Sequence, residues 1–238
     1  MTCSFPNPKS RSGTPTPELR IPHLPRYESV RSHEDGKRLY ETPEGSFYSV
    51  TTVLSGSKDM SSIESWRESI GEKEADRILR VACARGDATH LNIENWMLKG
   101  EEPKLNLLTQ PYWKSVRPFL DNVDKPLLIE GAVWHPDGYA GALDCIATLK
   151  EDPNVPVLLD WKTADKPKKK DRLYDYSLQC AAYVNAANYV YKNQGLNIER
   201  ALIVIAVADD ACQIEELDKD ALDQLYIHFR ARLSRFTQ

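Results

Sequence analysis

The hydrophobic pattern in the second half of the chain predicts a sheet. Three segments rich in apolar and β-branched residues follow one another closely: Leu127–Trp134, Tyr139–Lys150 and Val155–Thr163. A fourth segment, Ala201–Ala208, is apolar at every position, which is typical of a strand buried on both faces. Near the N-terminus, Arg38–Val53 has the pattern of a hairpin of β-formers around a turn at Pro43-Glu44-Gly45.

Segments with helical periodicity surround these strands. Ser61–Arg85 carries apolar residues at near-helical spacing, although Gly71 weakens its middle. Gly86 is expected to end this helix, and Ala88–Lys99 is expected to form the next one. Two further helices are predicted at Ser177–Lys192 and Asp218–Phe236. Together these elements predict an α/β fold in which a central mixed sheet is flanked by helices.

Residues 1–26 differ in composition from the rest of the chain. They contain six prolines among Ser, Thr and Arg, a composition that disfavours helix and sheet and has little to bury. We expect a flexible arm here, followed by one domain over residues 27–238. An organelle transit peptide is a second interpretation of the arm, but the prolines would break the amphipathic helix that such peptides form.

The overall composition narrows the class of protein. A net charge of −4 does not indicate a strongly basic nucleic-acid binder, although a local basic patch is compatible with it. No apolar run approaches the roughly 18 residues of a membrane span, and no signal peptide is recognisable. The five cysteines include no C-x-x-C pair, which argues against a disulfide framework and a cysteine-bound zinc. We expect a soluble intracellular protein, in a bacterial or phage-infected cytoplasm or in an organelle matrix.

The predicted strand Val155–Thr163 carries an acid and an amine in its second half. Because alternate residues of a strand share a face, Asp160 and Lys162 are expected to point the same way. An isolated D-x-K tripeptide is more often an ordinary surface ion pair, so these two residues alone do not indicate a site.

The preceding hairpin adds two more acids. His135-Pro-Asp-Gly138 favours a three-residue loop, with glycine where a positive φ is needed. That loop makes Glu130 and Asp144 neighbours across the strands, whereas a two-residue loop would place Ile129 opposite Asp144. Three acids held close together would repel one another unless a cation neutralised them. Carboxylate ligands suit Mg²⁺ or Mn²⁺, so we predict one of these ions as the cofactor.

Several motifs in this region resemble those of a known superfamily. They are Arg85-Gly-Asp-Ala-Thr-His90, Tyr139-Ala-Gly-Ala-Leu-Asp144, Leu158-Leu-Asp-Trp-Lys-Thr163 and Gln179-x-x-x-Tyr183. In residue types and in order they resemble the catalytic elements of the PD-(D/E)XK nucleases, and in particular the RecB-type exonucleases. The resemblance implies a restriction-endonuclease-like PD-(D/E)XK core with a metal-dependent deoxyribonuclease activity.

The flanking residues extend the similarity over roughly residues 47–235. The matching segments are Ser49-Val-Thr-Thr-Val-Leu54, Trp66, Leu143-Asp-Cys-Ile-Ala147, Asp160-Trp-Lys-Thr-Ala-Asp-Lys-Pro-Lys168 and Gln179-Cys-Ala-Ala-Tyr-Val-Asn-Ala-Ala-Asn188. They most closely resemble the family of the mitochondrial genome maintenance exonuclease. Some related nucleases hold an iron–sulfur cluster, but none is expected here, because Cys145 and Cys180 fall inside a predicted strand and a predicted helix.

The resemblance implies the metal ligands. Asp144 and Asp160 would bind the ion, and the main-chain carbonyl of Trp161 would add a ligand. His90 would serve as a further ligand or as a phosphate contact. A bound divalent ion lowers the pKa of its water and stabilises charge on a scissile phosphate, which are the two needs of phosphodiester hydrolysis.

Four other residues complete the predicted catalytic group. Lys162 would orient the attacking water or hold a phosphate oxygen. Glu130 would be the third acid. Gln179 and Tyr183 lie one helical turn apart, so their polar groups can reach a common target, which by resemblance is the metal site or the DNA backbone.

Candidate DNA contacts lie on either side of this group. Those in the N-terminal half are Ser49, Thr51, Thr52 and Trp66. The ring of Trp66 could stack on any base or could instead belong to the core. A basic run follows the catalytic strand: Lys166, Lys168, Lys169 and Lys170. This run could contact a DNA backbone in a salt-dependent manner, or it could be a solvated loop.

These features together predict a metal-dependent DNA exonuclease. By resemblance its substrate would be single-stranded DNA or free DNA ends, in replication, repair or recombination. We expect a monomer with DNA as its partner and with replication or recombination proteins as further candidates. A structure-specific endonuclease and a non-catalytic nucleic-acid-binding accessory protein are the alternatives.

Overall fold

The computed structural model describes residues 24–238, in which eight strands form one sheet. The strands are β1 Val30–Glu34, β2 Lys37–Thr42, β3 Gly45–Ser49, β4 Val123–His135, β5 Tyr139–Leu149, β6 Asp152–Ala164, β7 Ala201–Val207 and β8 Gln213–Leu217. Their order is β1-β2-β3-β5-β6-β7-β8, with β4 paired to β5. The β3–β5 and β6–β7 pairs are parallel and the other pairs are antiparallel, so the sheet is mixed, as predicted.

Helices cover both faces of this sheet. They are α1 Val50–Gly56, α2 Ser61–Ile70, α3 Glu72–Lys99, α4 Gln110–Leu120, α5 Tyr174–Val190 and α6 Lys219–Thr237. In β7, Ile203 belongs to a hydrophobic cluster that includes Leu178 of α5 and Phe229 of α6. The next residue, Val204, belongs to a second cluster with Phe119 of α4. The predicted α/β arrangement is therefore confirmed, and none of the helices in residues 24–238 could span a membrane.

The predicted hairpin register between β4 and β5 is confirmed. His135 pairs with Tyr139 across a three-residue loop, and Gly138 in that loop has a φ of 97°. The same register continues along both strands, so Glu130 lies opposite Asp144. A two-residue loop is excluded, because it would shift every later pair by one residue.

The prediction that Val50–Val53 continues the N-terminal strand is wrong. These residues form the beginning of α1, because Ser49 has an extended backbone and caps the helix. Its Oγ accepts a hydrogen bond from the main-chain N–H of Thr52 at 3.0 Å. Capping by a serine side chain stabilises a helix start by about 1 kcal/mol. It overrides the β propensity of the Val-Thr-Thr-Val stretch.

The helix boundary predicted at Gly86 is also wrong. The helix α3 runs through Gly86 and ends at Lys99, where Gly100 adopts a left-handed φ of 69°. The break lies earlier, at Gly71, whose φ of 86° separates α2 from α3. Gly71 therefore ends a helix and Gly86 lies inside one, the reverse of the prediction, because only Gly71 adopts a backbone conformation that favours glycine.

The described end of the predicted arm packs along β4. The main-chain N–H of Leu24 donates to the carbonyl of Leu127 at 3.0 Å. Arg26 donates from Nε to the carbonyl of Glu130 at 2.9 Å. Residues 1–23, the rest of the predicted arm, lie outside the described part of the chain.

One edge of β5 changes its partner partway along the strand. β4 pairs with β5 from Tyr139 to Leu149 and occupies the other edge. On the changing edge, β3 pairs only with residues 139–140, and the pairing with β6 begins at Cys145. Within the described residues, positions 141–144 have no strand partner there, so the sheet opens into a fork between β3 and β6.

The ring of Tyr183 from α5 lies against this fork. Tyr183 is buried, and a Cβ added to Gly141 would lie only 2.7 Å from its Cε1 atom. A glycine at position 141 therefore allows α5 to approach the sheet closely, which brings that helix to the fork.

We predict that Gly141→Ala destabilises the protein by about 1–3 kcal/mol, because the methyl group would force the buried Tyr183 ring to move. The measurement is the free energy of unfolding in urea. Gly86→Ala is the matched control, since its added Cβ would meet no atom within 4 Å outside its own helix. The control should be stabilised by up to about 1 kcal/mol, because alanine is the better helix former. Equal effects of the two substitutions would contradict this account.

Candidate active site

Two aspartates face each other at the fork. Cys145 of β5 pairs with Leu159 of β6, so the next residues along the two strands, Asp144 and Asp160, lie opposite each other. Asp144 accepts a hydrogen bond through Oδ2 from the main-chain N–H of Trp161 at 2.8 Å. This bond joins β5 to β6 where their regular pairing ends.

His90 of α3 contacts both of these strands. Its Nε2 lies 2.9 Å from the carbonyl oxygen of Trp161, and its Nδ1 lies 3.4 Å from Oδ1 of Asp144. Burial lowers the pKa of His90, but the Asp144 carboxylate outweighs that effect, and the pKa rises to about 9. The ring is therefore a cation at neutral pH and can donate from both nitrogens. The histidine and the carbonyl predicted as metal ligands are bound to each other in this arrangement.

Glu130 of β4 reaches the same point from a strained backbone. Its φ of 49° lies in the left-handed region, which costs a residue other than glycine about 1–2 kcal/mol. Burial and the nearby Asp144 carboxylate raise the pKa of Glu130 to about 7. Arg26 binds the carbonyl oxygen of Glu130 and helps to hold this conformation.

His90, Glu130 and Asp144 together could hold one divalent ion. Each offers a ligand atom, and these three atoms all lie within 4.8 Å of one another. Asp160 lies beside this group but is not part of it. Neither carboxylate oxygen of Asp160 makes a hydrogen bond of normal geometry to the described residues, although the side chain is buried. Its charged partner is the ammonium of Lys162. The two carboxylates and the imidazole of the group of three are ligands that a divalent cation accepts, so this donor set fits a metal.

Lys162 forms an ion pair with Asp160, as expected for residues that share a strand face. Burial raises the pKa of Asp160 to about 6, even though Lys162 opposes this shift. Burial lowers the pKa of Lys162, but Asp160 and Asp144 together raise it above its ordinary value, so the amine stays charged. Its Nζ also lies 5.1 Å from the centre of the Tyr176 ring, a cation–π contact that limits its movement.

Glu130, Asp144 and His90 line a cleft of about 510 Å³, whereas Asp160 and Lys162 are not among the described residues that line it. Gln179 and Tyr183 line its wall on α5, one turn apart, as the helix spacing predicts. Burial raises the pKa of Tyr183 well above its ordinary value, so its hydroxyl stays protonated and can donate. Ser49 and Thr51 line the cleft as well, but Ser49 is almost fully buried and serves as the cap of α1.

Other predicted DNA contacts lie outside this cleft. The Thr52 hydroxyl accepts a hydrogen bond from the Ser49 hydroxyl at 2.7 Å and so belongs to the same helix cap. Trp66 is half-buried on α2, a helix with no fully buried residue. Trp66 is not among the described residues that line the cleft. Neither residue is therefore directly part of the site around the acids.

The basic run leaves β6 at a fixed position. Lys166, Lys169 and Lys170 are exposed, whereas Lys168 is half-buried. The side-chain amide of Gln213 donates to the Lys168 carbonyl and accepts from its N–H, both at 2.8 Å. The Lys168 ammonium lies 5.8 Å from the centre of the Tyr176 ring, which Lys162 also contacts. Gln213 and Tyr176 thus hold the start of the run next to the candidate catalytic lysine.

The sequence analysis missed two arginines of the cleft. Arg31 and Arg38 line it from β1 and β2, and β1 itself was not predicted. The available signal was Asp35-Gly36, a dipeptide typical of two-residue hairpin turns. Both residues have positive φ, 49° and 74°, and Glu34 pairs with Lys37 on either side of them.

Comparisons with known proteins identify no family. The chain matches no protein-family model and no curated protein. Among solved structures it is similar to a protein from Eubacterium rectale named "Putative exonuclease", with a TM-score of 0.42 and 13% identity, over 64% of this chain and 66% of that one. It is also similar to SSO0001, with a TM-score of 0.35 and 15% identity, over 74% and 73% of the two chains. This chain thus spans just under two thirds of the length of the first protein.

We predict that the strain at Glu130 can be measured by comparing two substitutions. Glu130→Gln and Glu130→Gly both remove the charge, but only the glycine variant relieves the left-handed backbone. Glu130→Gly should therefore be more stable than Glu130→Gln by about 1 kcal/mol in urea unfolding with a chelator present. Both variants should bind Mn²⁺ more weakly than the unaltered protein in calorimetry. A glycine variant no more stable than the glutamine variant would show that the backbone is not strained.

Proposed function

We propose that this chain is a metal-dependent DNA nuclease with a core of the PD-(D/E)XK type. The observation that carries the proposal is the meeting of Asp144, Asp160 and Lys162 at the fork of the sheet, with His90 and Glu130 beside them. Two opposed carboxylates and a lysine on one of the two strands are what the D-x-K motif requires. The motif resemblance over residues 47–235 supports the same proposal.

The donor set favours Mn²⁺, with Mg²⁺ as a second candidate. Glu130 and Asp144 supply carboxylate oxygens, which suit both ions, whereas the imidazole of His90 suits Mn²⁺ better than Mg²⁺. When bound, such an ion would supply an activated water and would stabilise negative charge on a phosphate. His90 would first have to release a proton from the nitrogen that faces Asp144.

Two side chains of the cleft wall, Gln179 and Tyr183, and the two lysines at the Tyr176 ring account for the rest of the proposed chemistry. Lys162 supplies a fixed positive charge that can hold a phosphate oxygen or orient a water. Tyr183 can donate its hydroxyl proton to a phosphate oxygen, and Gln179 can donate from its side-chain amide. Lys168 can contact a neighbouring phosphate, with the exposed lysines of the run beyond it.

The proposed substrate follows from the motifs and not from the geometry of the site. Single-stranded DNA or free ends, and a role in replication, repair or recombination, rest on the resemblance of the motifs to RecB-type exonucleases. The open fork and the basic run are compatible with a single strand. A structure-specific endonuclease would use the same chemistry, so the two are separated only by experiment.

We predict that Asp144→Asn lowers the rate of hydrolysis of end-labelled single-stranded DNA by at least about 10²-fold, because a metal ligand is lost. The amide oxygen can still accept from the Trp161 N–H, so the fold should be retained. Asp152→Asn, which alters an exposed acid on β6, is the matched control and should retain full activity. A chelator should abolish the activity. Full activity of Asp144→Asn would refute the site, and DNA that is bound but never cut by the unaltered protein would favour the non-catalytic accessory protein.

We also predict that linear single strands are degraded while covalently closed circular single strands of the same sequence stay intact. The expected result follows from the exonuclease proposal, because a circle offers no end. Gel electrophoresis of both substrates in one reaction measures it, and the linear strand is the internal control. Prompt cutting of circles would instead support the endonuclease.

A further inference from the structure

The hairpin formed by β1 and β2 separates its charges between two faces. Arg31 pairs with Tyr40 and His33 pairs with Arg38, so these four side chains share one face. Glu41 lies on the other face, where its carboxylate accepts hydrogen bonds from Ser32 and Ser46. One face of the hairpin therefore carries both arginines and no acid, whereas the other carries Glu41 together with the paired Glu34 and Lys37.

The two arginines are close neighbours of each other on this face. Residues that are diagonal across two antiparallel strands lie about 7–8 Å apart, which applies to Arg31 and Arg38. Within residues 24–238, neither guanidinium forms an ion pair with a carboxylate, whereas Arg67, Arg85 and Arg117 each do. Adjacent like charges are unfavourable unless an anion lies between them.

The basic face points into the cleft that contains the acids. Arg31, Arg38 and Tyr40 all line it, and the Arg31 guanidinium lies 5.5 Å from the centre of the Tyr40 ring. Tyr40 is buried, so its ring fixes the direction of the Arg31 side chain. This contact reduces the entropy that the arginine would lose on binding a ligand.

Arg31 and Arg38 lie on different strands from Glu130 and Asp144, the acids of the fork, and Asp87 and Glu94 of α3 also line the cleft. Extending the β2–β3 register places Arg38 opposite Ser49, which pairs with Ala140 of β5. Asp144 lies four residues further along β5. At about 3.3 Å per residue and 4.8 Å per strand, the α-carbons of Arg38 and Asp144 are about 16 Å apart. A strand that reaches both ends would present more than one phosphate to the cleft.

We propose that Arg31 and Arg38 form an anion site that holds a phosphate group of the nucleic-acid strand whose scissile bond lies at the carboxylates. Planar guanidinium groups bind phosphate oxygens in a bidentate manner, and a pair of them can enclose one phosphate group. The proposal rests on the proposed nuclease function for the identity of its ligand. The phosphate is either a terminal monoester or an internal diester of the strand.

The test measures DNA affinity against salt concentration. Fluorescence anisotropy of a 3′-labelled oligothymidine, with a 5′-phosphate or a 5′-hydroxyl, would be recorded in the Asp144→Asn background with a chelator present to prevent cutting. Each lost phosphate contact should reduce the slope of log K against log salt by about 0.7 for a single strand. The double variant Arg31→Gln/Arg38→Gln removes the whole site and should show about this reduction, and each single variant should show part of it.

Two sets of controls accompany these variants. Arg235→Gln removes one charge from an exposed arginine on α6, outside the cleft, and should leave the slope unchanged. Arg31→Lys and Arg38→Lys keep the charge and should keep most of the slope. A loss confined to the 5′-phosphorylated strand would identify a terminal phosphate, whereas an equal loss on both strands would identify an internal one.

The outcomes distinguish this proposal from the nuclease function. An unchanged slope in the double variant, or an unaltered protein that does not bind the strand, would overturn the anion site. If the protein cuts DNA but the salt dependence of its DNA affinity does not depend on these arginines, the nuclease proposal stands and the anion site does not. A protein that binds strands through the arginines but never cuts them would overturn the nuclease proposal alone.

Discussion

The candidate site depends on the position of Asp144 and Asp160, which lie opposite each other at the fork of the sheet, with Asp160 buried and Asp144 half-buried. Two carboxylates in this position would repel each other strongly if they had no positive partners. Lys162 pairs with Asp160, and His90 pairs with Asp144 while it also binds the Trp161 carbonyl. Four elements therefore meet at one point, because β4, β5, β6 and α3 each contribute a charged side chain there.

This arrangement also explains why the sheet is irregular at the same point. On one edge of β5, the pairing with β3 stops at Ala140 and the pairing with β6 starts at Cys145, so residues 141–144 have no strand partner there among the described residues. Asp144 instead accepts a hydrogen bond from the main-chain N–H of Trp161 through its side chain. Glu130, which lies opposite Asp144 in the β4–β5 pair, has a left-handed backbone φ instead of an extended one. Strain of this kind persists only where the surrounding contacts hold it, and it is common at functional sites.

Much of the central sheet could be predicted from the sequence, because its determinants are local. The turn His135–Gly138 sets the register that brings Glu130 opposite Asp144, and the alternation of β6 sets the shared face of Asp160 and Lys162. What could not be predicted depends on contacts distant in sequence. No local pattern shows that His90 reaches the carbonyl of Trp161, 71 residues away.

The errors in the N-terminal half have a different cause. In that half, β propensity and hydrophobic alternation predict different elements from the helix-capping and turn residues, and the structure follows the capping and turn residues. The β-branched stretch after Ser49 suggested a strand, but the serine is a helix cap, and Asp35-Gly36 was overlooked because the residues around it have little hydrophobic alternation. The second error concerns β1, which carries Arg31, whereas α1 contributes Thr51 to the cleft and no basic residue. The acidic half of the cleft could thus be predicted from sequence, but the basic half could not.

The distribution of charge within the cleft clarifies what the net charge of −4 means for this chain. Net charge describes long-range attraction, whereas binding of a phosphate depends on charges within about one Debye length, roughly 8–10 Å. The acids at the fork are largely balanced by Lys162 and His90, so they contribute less repulsion than their number suggests. Arg31 and Arg38 form no ion pair with a carboxylate within the described residues, although Asp87 and Glu94 line the same cleft. An acidic protein can therefore carry a local pair of basic side chains on one wall of a cleft, whatever its net charge.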